Sequence, residues 1–281
     1  MNGTPLLFDR ALYLARQRSA SSDALAQLDQ RLSDELIDRL SMINRHFGKA
    51  LLIAPRPHAI AMALQQSDRI EQVETSAPSN AEHLQLMAEN YDAVISLIDL
   101  HTVNDVPGYL AQCATALKPD GLAMAGFFAG ETLRELRESW LAAEQFILQG
   151  ASPRVAPMID LRETGRLLQR AGLALPVADI DRVTLRYADA FALMREIKTT
   201  GHANCLADRS TRFTSRRLLT AVASHYASHF ANADGRITAT LDIAWAMAWK
   251  PHASQQQPLK PGSAKARLAD ALKVDETKLK S

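Results

Sequence analysis

Cysteine is almost absent from this chain, with two in 281 residues. With Cys113 and Cys205 92 residues apart, and only His202 at short spacing from either, neither a disulfide framework nor a four-ligand structural zinc site is expected. No run of about 18 apolar residues occurs, which removes a membrane-spanning helix. Asp9 and Arg10 interrupt the short apolar start too early for a secretory signal. These absences predict a soluble, cytoplasmic protein. A strong charge of one sign is missing as well: 32 Lys+Arg stand against 31 Asp+Glu, which leaves no electrostatic case for a nucleic-acid partner. Glycine is scarce where it would matter most, with none between Gly48 and Gly108.

What is present suits a packed globular protein: 47% of residues are hydrophobic and 22% charged. Charge is uneven along the chain, since the stretch from Lys250 to Ser281 has seven Lys/Arg against three Asp/Glu. That stretch reads as a basic C-terminal arm ending in a short helix. Leu6, Leu7, Ala11, Leu14 and Ala15 lie at helical spacing, and Leu32, Leu36, Ile37 and Leu40 share one face of a second helix. From Lys49 short apolar runs alternate with helices. Strands are predicted at Ala50 to Ala54, Ile70 to Glu74, Asp92 to Asp99 and Leu122 to Phe128, the last after a Lys118-Pro119-Asp120-Gly121 turn. Asp105 caps the helix between the last two. Leu133, Leu136, Trp140, Ala143 and Ile147 mark a long helix. Beyond a helix at Asp160 to Ala171 come a strand at Val177 to Tyr187, with Ile180, Val183 and Leu185 inward, and two helices near Asp189 to Thr199 and Thr214 to Phe230. A final strand runs from Ile237 to Trp249. Alternating strands and helices imply a parallel α/β sheet.

Several blocks resemble a known family. FDRAL at Phe8 to Leu12, ISLIDLHTVNDVPGYL at Ile95 to Leu110, LKPDG at Leu117 to Gly121, GETLRELR at Gly130 to Arg137, GASPRVAP at Gly150 to Pro157 and PLKPGSAKARL at Pro258 to Leu268 are similar to the assembly factor 5 family of respiratory complex I. That family resembles the malonyl-carrier methyltransferase of biotin synthesis in its core. The resemblance implies an α/β, Rossmann-like class I methyltransferase core with a final antiparallel strand, and the pattern along the chain divides it into N-terminal helices over 1–48, that core over 49–249 with a helical insertion at about 188–233, and the basic arm over 250–281. It implies a role in maturing complex I by binding a protein substrate or assembly intermediate, without an integral membrane segment but with peripheral association through the membrane-bound complex. It also implies S-adenosylmethionine as cofactor, and its mitochondrial branch is linked to hydroxylation of a protein arginine.

The residues themselves argue against that cofactor. Such enzymes follow the first strand with a glycine-rich loop, because only glycine lets the backbone approach the ligand closely. Here the stretch is LLIAPRPHAIA, Leu51 to Ala61, in which Pro55 and Pro57 remove backbone donors, Arg56 and His58 add bulk, and Ala54 stands near the position of the usual acidic residue. Between Glu74 and Asp92 the chain is too short for the usual helix and third strand, a sub-motif therefore expected to be deleted. What remains for a cofactor is Glu74, at a strand end where it could hold ribose hydroxyls, and the Asp99-Leu100-His101-Thr102 loop. The sequence thus supports either a scaffold that binds a partner or an active enzyme built on these last residues.

His101, just past a buried strand, is the candidate general base, with a backbone-bonded histidine as the alternative. His225 and His229 share a helix face, but Tyr226 stands where a zinc-protease motif needs glutamate, so a packed or solvated pair is expected. None of the eight histidines begins a His-x-Asp/Glu motif, and no metal site is predicted. Arg209, Arg212, Arg216 and Arg217 form a solvated face or a docking patch for an acidic partner surface.

Overall fold

The computed structural model describes residues 6–256. The chain divides into two units, Met1–Pro251 and His252–Ser281. Of the second only the first five residues are described, and they form a turn in which the Gln255 amide donates to the His252 carbonyl. The arm expected from Lys250 onward lies, from residue 257, outside the described residues.

The first unit opens with two helices, α1 (Arg10–Arg18) and α2 (Ser22–Ser41), and then winds β1 (Phe47–Ile53), α3 (Pro57–Gln66), β2 (Ile70–Ser76), β3 (Tyr91–Leu97), α4 (Val106–Ala116) and β4 (Leu117–Ala129). After α5 (Arg134–Leu148) and α6 (Leu161–Arg170), β5 (Ala174–Tyr187) leads into α7 (Ala190–Thr199) and α8 (Arg216–Phe230), and β6 (Ile237–Trp249) closes the sheet. The strands lie in the order β2-β1-β3-β4-β6-β5. The first four are parallel, and β6 runs antiparallel to both of its neighbours. Residues 77–90, between β2 and β3, contain no helix or strand, so β2 is an edge. This is where the missing third strand was expected.

Alternation along β1 distributes its side chains over two cores, as the twofold strand period requires. Leu51 and Ile53 pack with Tyr109, Leu110 and Leu168 of α4 and α6. Ala50 and Leu52 pack on the other face with Leu36, Leu40, Ile60 and Leu64 of α2 and α3, and with Trp245. A third cluster joins Leu136 and Trp140 of α5 to Leu193, Leu218, Val222 and Tyr226 of α7 and α8. Asp105 accepts from the Gly108 amide at 2.9 Å, as expected of a cap, and Asp160 does the same for Glu163 at 2.7 Å.

Three local expectations change. Lys118 to Gly121 belongs to β4, where an irregular register between Tyr91 and Ala93 absorbs the extra residues. Ile180, Val183 and Leu185 are half-buried, because β5 is the other edge strand. On α1 the buried side chains are Arg10, Tyr13 and Gln17, while Ala11 and Ala15 face outward and Leu6 and Leu7 precede the helix. The expected apolar stripe is thus replaced by a polar face whose partners are distant in sequence.

Gly126 of β4 sits where two strands bring large side chains together. A Cβ there would stand 2.9 Å from both Leu97 Cδ2 and the Trp245 ring. Gly126→Ala is expected to destabilise the fold by about 1–3 kcal/mol through overpacking. Urea denaturation would show a lower midpoint with unchanged slope, and an unmoved midpoint would contradict this close approach.

Candidate functional site

In open α/β sheets ligands bind beyond the carboxyl ends of the strands. At the end of β1, Ala54 is buried and its amide donates to the Ser76 carbonyl at 3.2 Å. Arg56 turns toward the N-terminal helices, where its guanidinium donates to Gln17 Oε1 at 2.6 Å and to Asp29 Oδ1 at 3.1 Å. Pro57 begins α3 and withholds one of the donors of its first turn. Glu74 is not at the end of its strand. β2 continues to Ser76, Glu74 lies opposite Leu51, and its carboxylate is engaged by Lys49 Nζ at 2.9 Å and the Tyr91 hydroxyl at 2.8 Å. Hydrogen bonds from Lys49 and Tyr91 hold that carboxyl below its ordinary value.

The end of β3 is the most elaborate part of the molecule. Ile98 has φ of +51°, a left-handed conformation that a β-branched residue rarely adopts. Its amide donates to the Gly126 carbonyl at 2.8 Å and its carbonyl accepts from the Tyr13 hydroxyl. The next residue, Asp99, is completely buried. Arg10 donates to Asp99 Oδ1 at 2.6 Å and Oδ2 at 3.3 Å, to Thr102 Oγ1 at 2.8 Å and to the Ser79 carbonyl at 3.1 Å. Burial pushes the Asp99 carboxyl up against the pull of the Arg10 guanidinium. Leu100, His101 and Thr102 follow as one buried turn of 3-10 helix. The structure thus gathers Asp99, His101 and Thr102 around Arg10 and Tyr13, and leaves Glu74 to a separate contact on the sheet edge. Sequence reasoning quoted the FDRAL block but did not place Arg10 here. The available signal was an arginine, a tyrosine and a glutamine at positions 10, 13 and 17, spacings that share a helix face.

Beside this turn lies a cavity of about 450 Å³, lined by Tyr13, His101, Thr102 and Phe128 and by apolar residues that include Leu136, Val155 and Met158. His101 exposes 8% of its surface, and its Nδ1 is buried without a hydrogen-bond partner among the described residues. Its ring lies 4.9 Å from that of Phe128, 6.0 Å from that of Tyr13 and 6.1 Å from that of His202. Burial, and then the nearby His202 and Arg10, hold His101 well below the ordinary histidine value. Burial and Arg56 push His202 down to about 3. Both imidazoles are therefore neutral at physiological pH. The charged groups at the rim are engaged: Arg31 with Asp181 at 2.6 Å, Arg154 with Glu144 at 2.7 Å, and Glu196 with the Tyr187 hydroxyl at 2.9 Å.

The other sequence candidates lie apart. His225 and His229 stack with ring centroids 4.0 Å apart, and His225 Nδ1 is 3.3 Å from the Ser139 hydroxyl. Among the described residues no group of three or more His, Cys, Asp or Glu side chains could hold a metal ion. Arg209 pairs with Asp9 at 3.3 Å, whereas Arg212, Arg216 and Arg217 are exposed. No described helix is long and apolar enough to cross a membrane.

Comparison with known proteins places this geometry in context. A family model described as a methyltransferase domain matches residues 39–125. The chain is 31% identical to the mitochondrial arginine-hydroxylase NDUFAF5 of Danio rerio over 95% of its own length and 90% of that protein. It is 29% identical to a malonyl-[acyl-carrier protein] O-methyltransferase of Laribacter hongkongensis over 91% of each chain. Among solved structures, the YcgJ protein of Bacillus subtilis superposes with a TM-score of 0.50 at 14% identity, covering 79% of this chain and 99% of that one, a likeness of fold. The rat and mouse relatives, like the Danio protein, are named as mitochondrial, which overturns the cytoplasmic placement expected from the sequence. The chain belongs to the family of the arginine-hydroxylase NDUFAF5, built on the Rossmann-like fold of class I S-adenosylmethionine-dependent methyltransferases.

Proposed function

We propose that this methyltransferase-like protein acts in the maturation of respiratory complex I by binding an assembly intermediate, and that it does so without S-adenosylmethionine as a resident cofactor. The observation that carries the reading is the Arg10 guanidinium at the end of β3, hydrogen-bonded to Asp99 and Thr102, the loop residues a cofactor would need. The residues around it do not fit S-adenosylmethionine. The loop after β1 has no glycine and is tied through Arg56 to α1 and α2. Glu74 is committed to Lys49 and Tyr91 two residues before its strand ends. The strand that would cover the adenine side is not present among the described residues. The sequence blocks that resemble the assembly factor 5 family lie partly outside these strand ends, which suits recognition of a partner by the rest of the surface.

A second reading is favoured by the relatives alone, arginine-hydroxylases that align with 95% and 96% of this chain. In it the chain modifies a protein arginine, and His101 is the candidate base. Mass spectrometry of complex I subunits from cells with and without this protein separates the readings. An arginine that loses one oxygen in the deletion supports modification, and an arginine that loses one methyl group restores a cofactor-dependent enzyme. Unmodified subunits in both, with defective assembly in the deletion, support the binding reading.

Two further outcomes test the carrying observation. Calorimetric titration of the full chain with S-adenosylmethionine, and separately with S-adenosylhomocysteine, is expected to give no heat of binding at millimolar ligand; a micromolar Kd, about -8 kcal/mol, would overturn the cofactor statement. Asp99→Ala is expected to cost about 3–5 kcal/mol of stability, because it leaves the Arg10 charge buried without its partner. The double replacement Arg10→Leu with Asp99→Leu is expected to recover most of that loss, and a double variant no more stable than Asp99→Ala would show that the two do not act as a pair.

A further inference from the structure

The cavity beside His101 has features that the maturation reading does not use. Its volume, about 450 Å³, lies within the range of small-molecule sites. Its polar floor is made of flat rings, with Tyr13, Phe128 and His202 all within 6.1 Å of the His101 ring centroid. A neutral imidazole carries one donor and one acceptor, and His101 is nine-tenths buried with its Nδ1 wholly buried and without a partner among the described residues. Buried polar groups are as a rule hydrogen-bonded, so a buried imidazole beside a cavity and without a protein partner points to an occupant, and one that carries both a donor and an acceptor meets either tautomer of His101. Among the described residues no free charge lines the cavity to receive an ion. Arg31, Arg154 and Glu196 at the rim are engaged with Asp181, Glu144 and Tyr187, and Arg10 behind His101 already faces Asp99. An ion entering here would lose its hydration without gaining a counter-charge.

We propose that this cavity binds a small uncharged planar group that carries both a hydrogen-bond donor and an acceptor, of the carboxamide or phenol class, held at His101 between the rings of Tyr13 and Phe128. The site stands apart from S-adenosylmethionine binding, and its test is independent of it.

The experiment uses three probes of nearly equal shape, benzamide, benzamidinium and benzoate, titrated into the full chain by calorimetry or ligand-observed NMR. Benzamide is expected to bind at least about tenfold more tightly than either ion, a difference of about 1.4 kcal/mol. His101→Leu is expected to abolish that preference, and thermal unfolding checks that the variant stays folded. His101→Gln, which keeps a donor and an acceptor, is expected to retain it. Tightest binding of benzamidinium would overturn the proposal in favour of a cavity that receives an arginine-like cation. Tightest binding of benzoate would overturn it in favour of an anion site. Equal affinities, no binding of any probe, or a benzamide preference unchanged in a folded His101→Leu would each remove His101 as the recognising group.

Discussion

The buried pair of Arg10 and Asp99 organises the carboxyl end of the sheet. It joins the first helix to the end of the third strand across 89 residues of chain, with side chains 2% and 0% exposed. Removing two charges from water is costly, and the geometry offsets that cost only by satisfying most of the donors at once, through Asp99, Thr102 and the Ser79 carbonyl. One consequence is positional. Because Asp99 is fixed from above by α1, the turn Leu100–Thr102 is fixed as well, and His101 can face a cavity without any hydrogen bond of its own to orient it. The strained backbone at Ile98 belongs to the same arrangement, held by Gly126 on one side and Tyr13 on the other.

The same pair belongs to a wider set of contacts that covers the carboxyl ends of the strands. A loop without glycine and an irregular segment in place of a third strand would leave the strand ends open to water. Here α1 and α2 cover them, with Arg56 bridging to Gln17 and Asp29 and Arg10 reaching Ser79 in the shortened segment. These contacts are charge-assisted and geometrically specific, so they fix the position of the N-terminal helices more closely than apolar packing alone would.

How far the sequence could be read follows from the range of the interactions involved. Strands β1, β3 and β6 were legible because burial on both faces makes them apolar runs, and the stripe of α5 because burial on one face imposes a period of 3.6. The deletion before β3 was legible from length alone. What escaped was non-local. Arg10, Tyr13 and Gln17 break the apolar pattern of α1 because their partners are Asp99, Ile98 and Thr200, and no local rule names those. Glu74 looked like a strand end because β2 is half-exposed, and two more residues of β2 pair with β1 beyond it. His101 was visible as a residue past a buried strand, but its unpartnered state was not, since that depends on rings from α1, β4 and the loop before α8.

Membership in the family does not by itself assign the chemistry, because one frame here has relatives named for hydroxylation and for methylation. The two regions of this site bear on that question differently. The end of β3 holds the buried Arg10–Asp99 pair, whereas the charged residues that line the cavity, Arg31, Arg154 and Glu196, are engaged with other groups. An arginine side chain brought into the cavity would meet two neutral imidazoles and a rim whose acids are already bonded. Its charge would then have to be balanced by an acidic group on the arriving partner itself, or by Asp99 after release from Arg10. The first keeps α1 in place and makes recognition a property of the partner's surface. The second requires the N-terminal helix to lift, and would make the pair that holds the fold together also the gate to its chemistry.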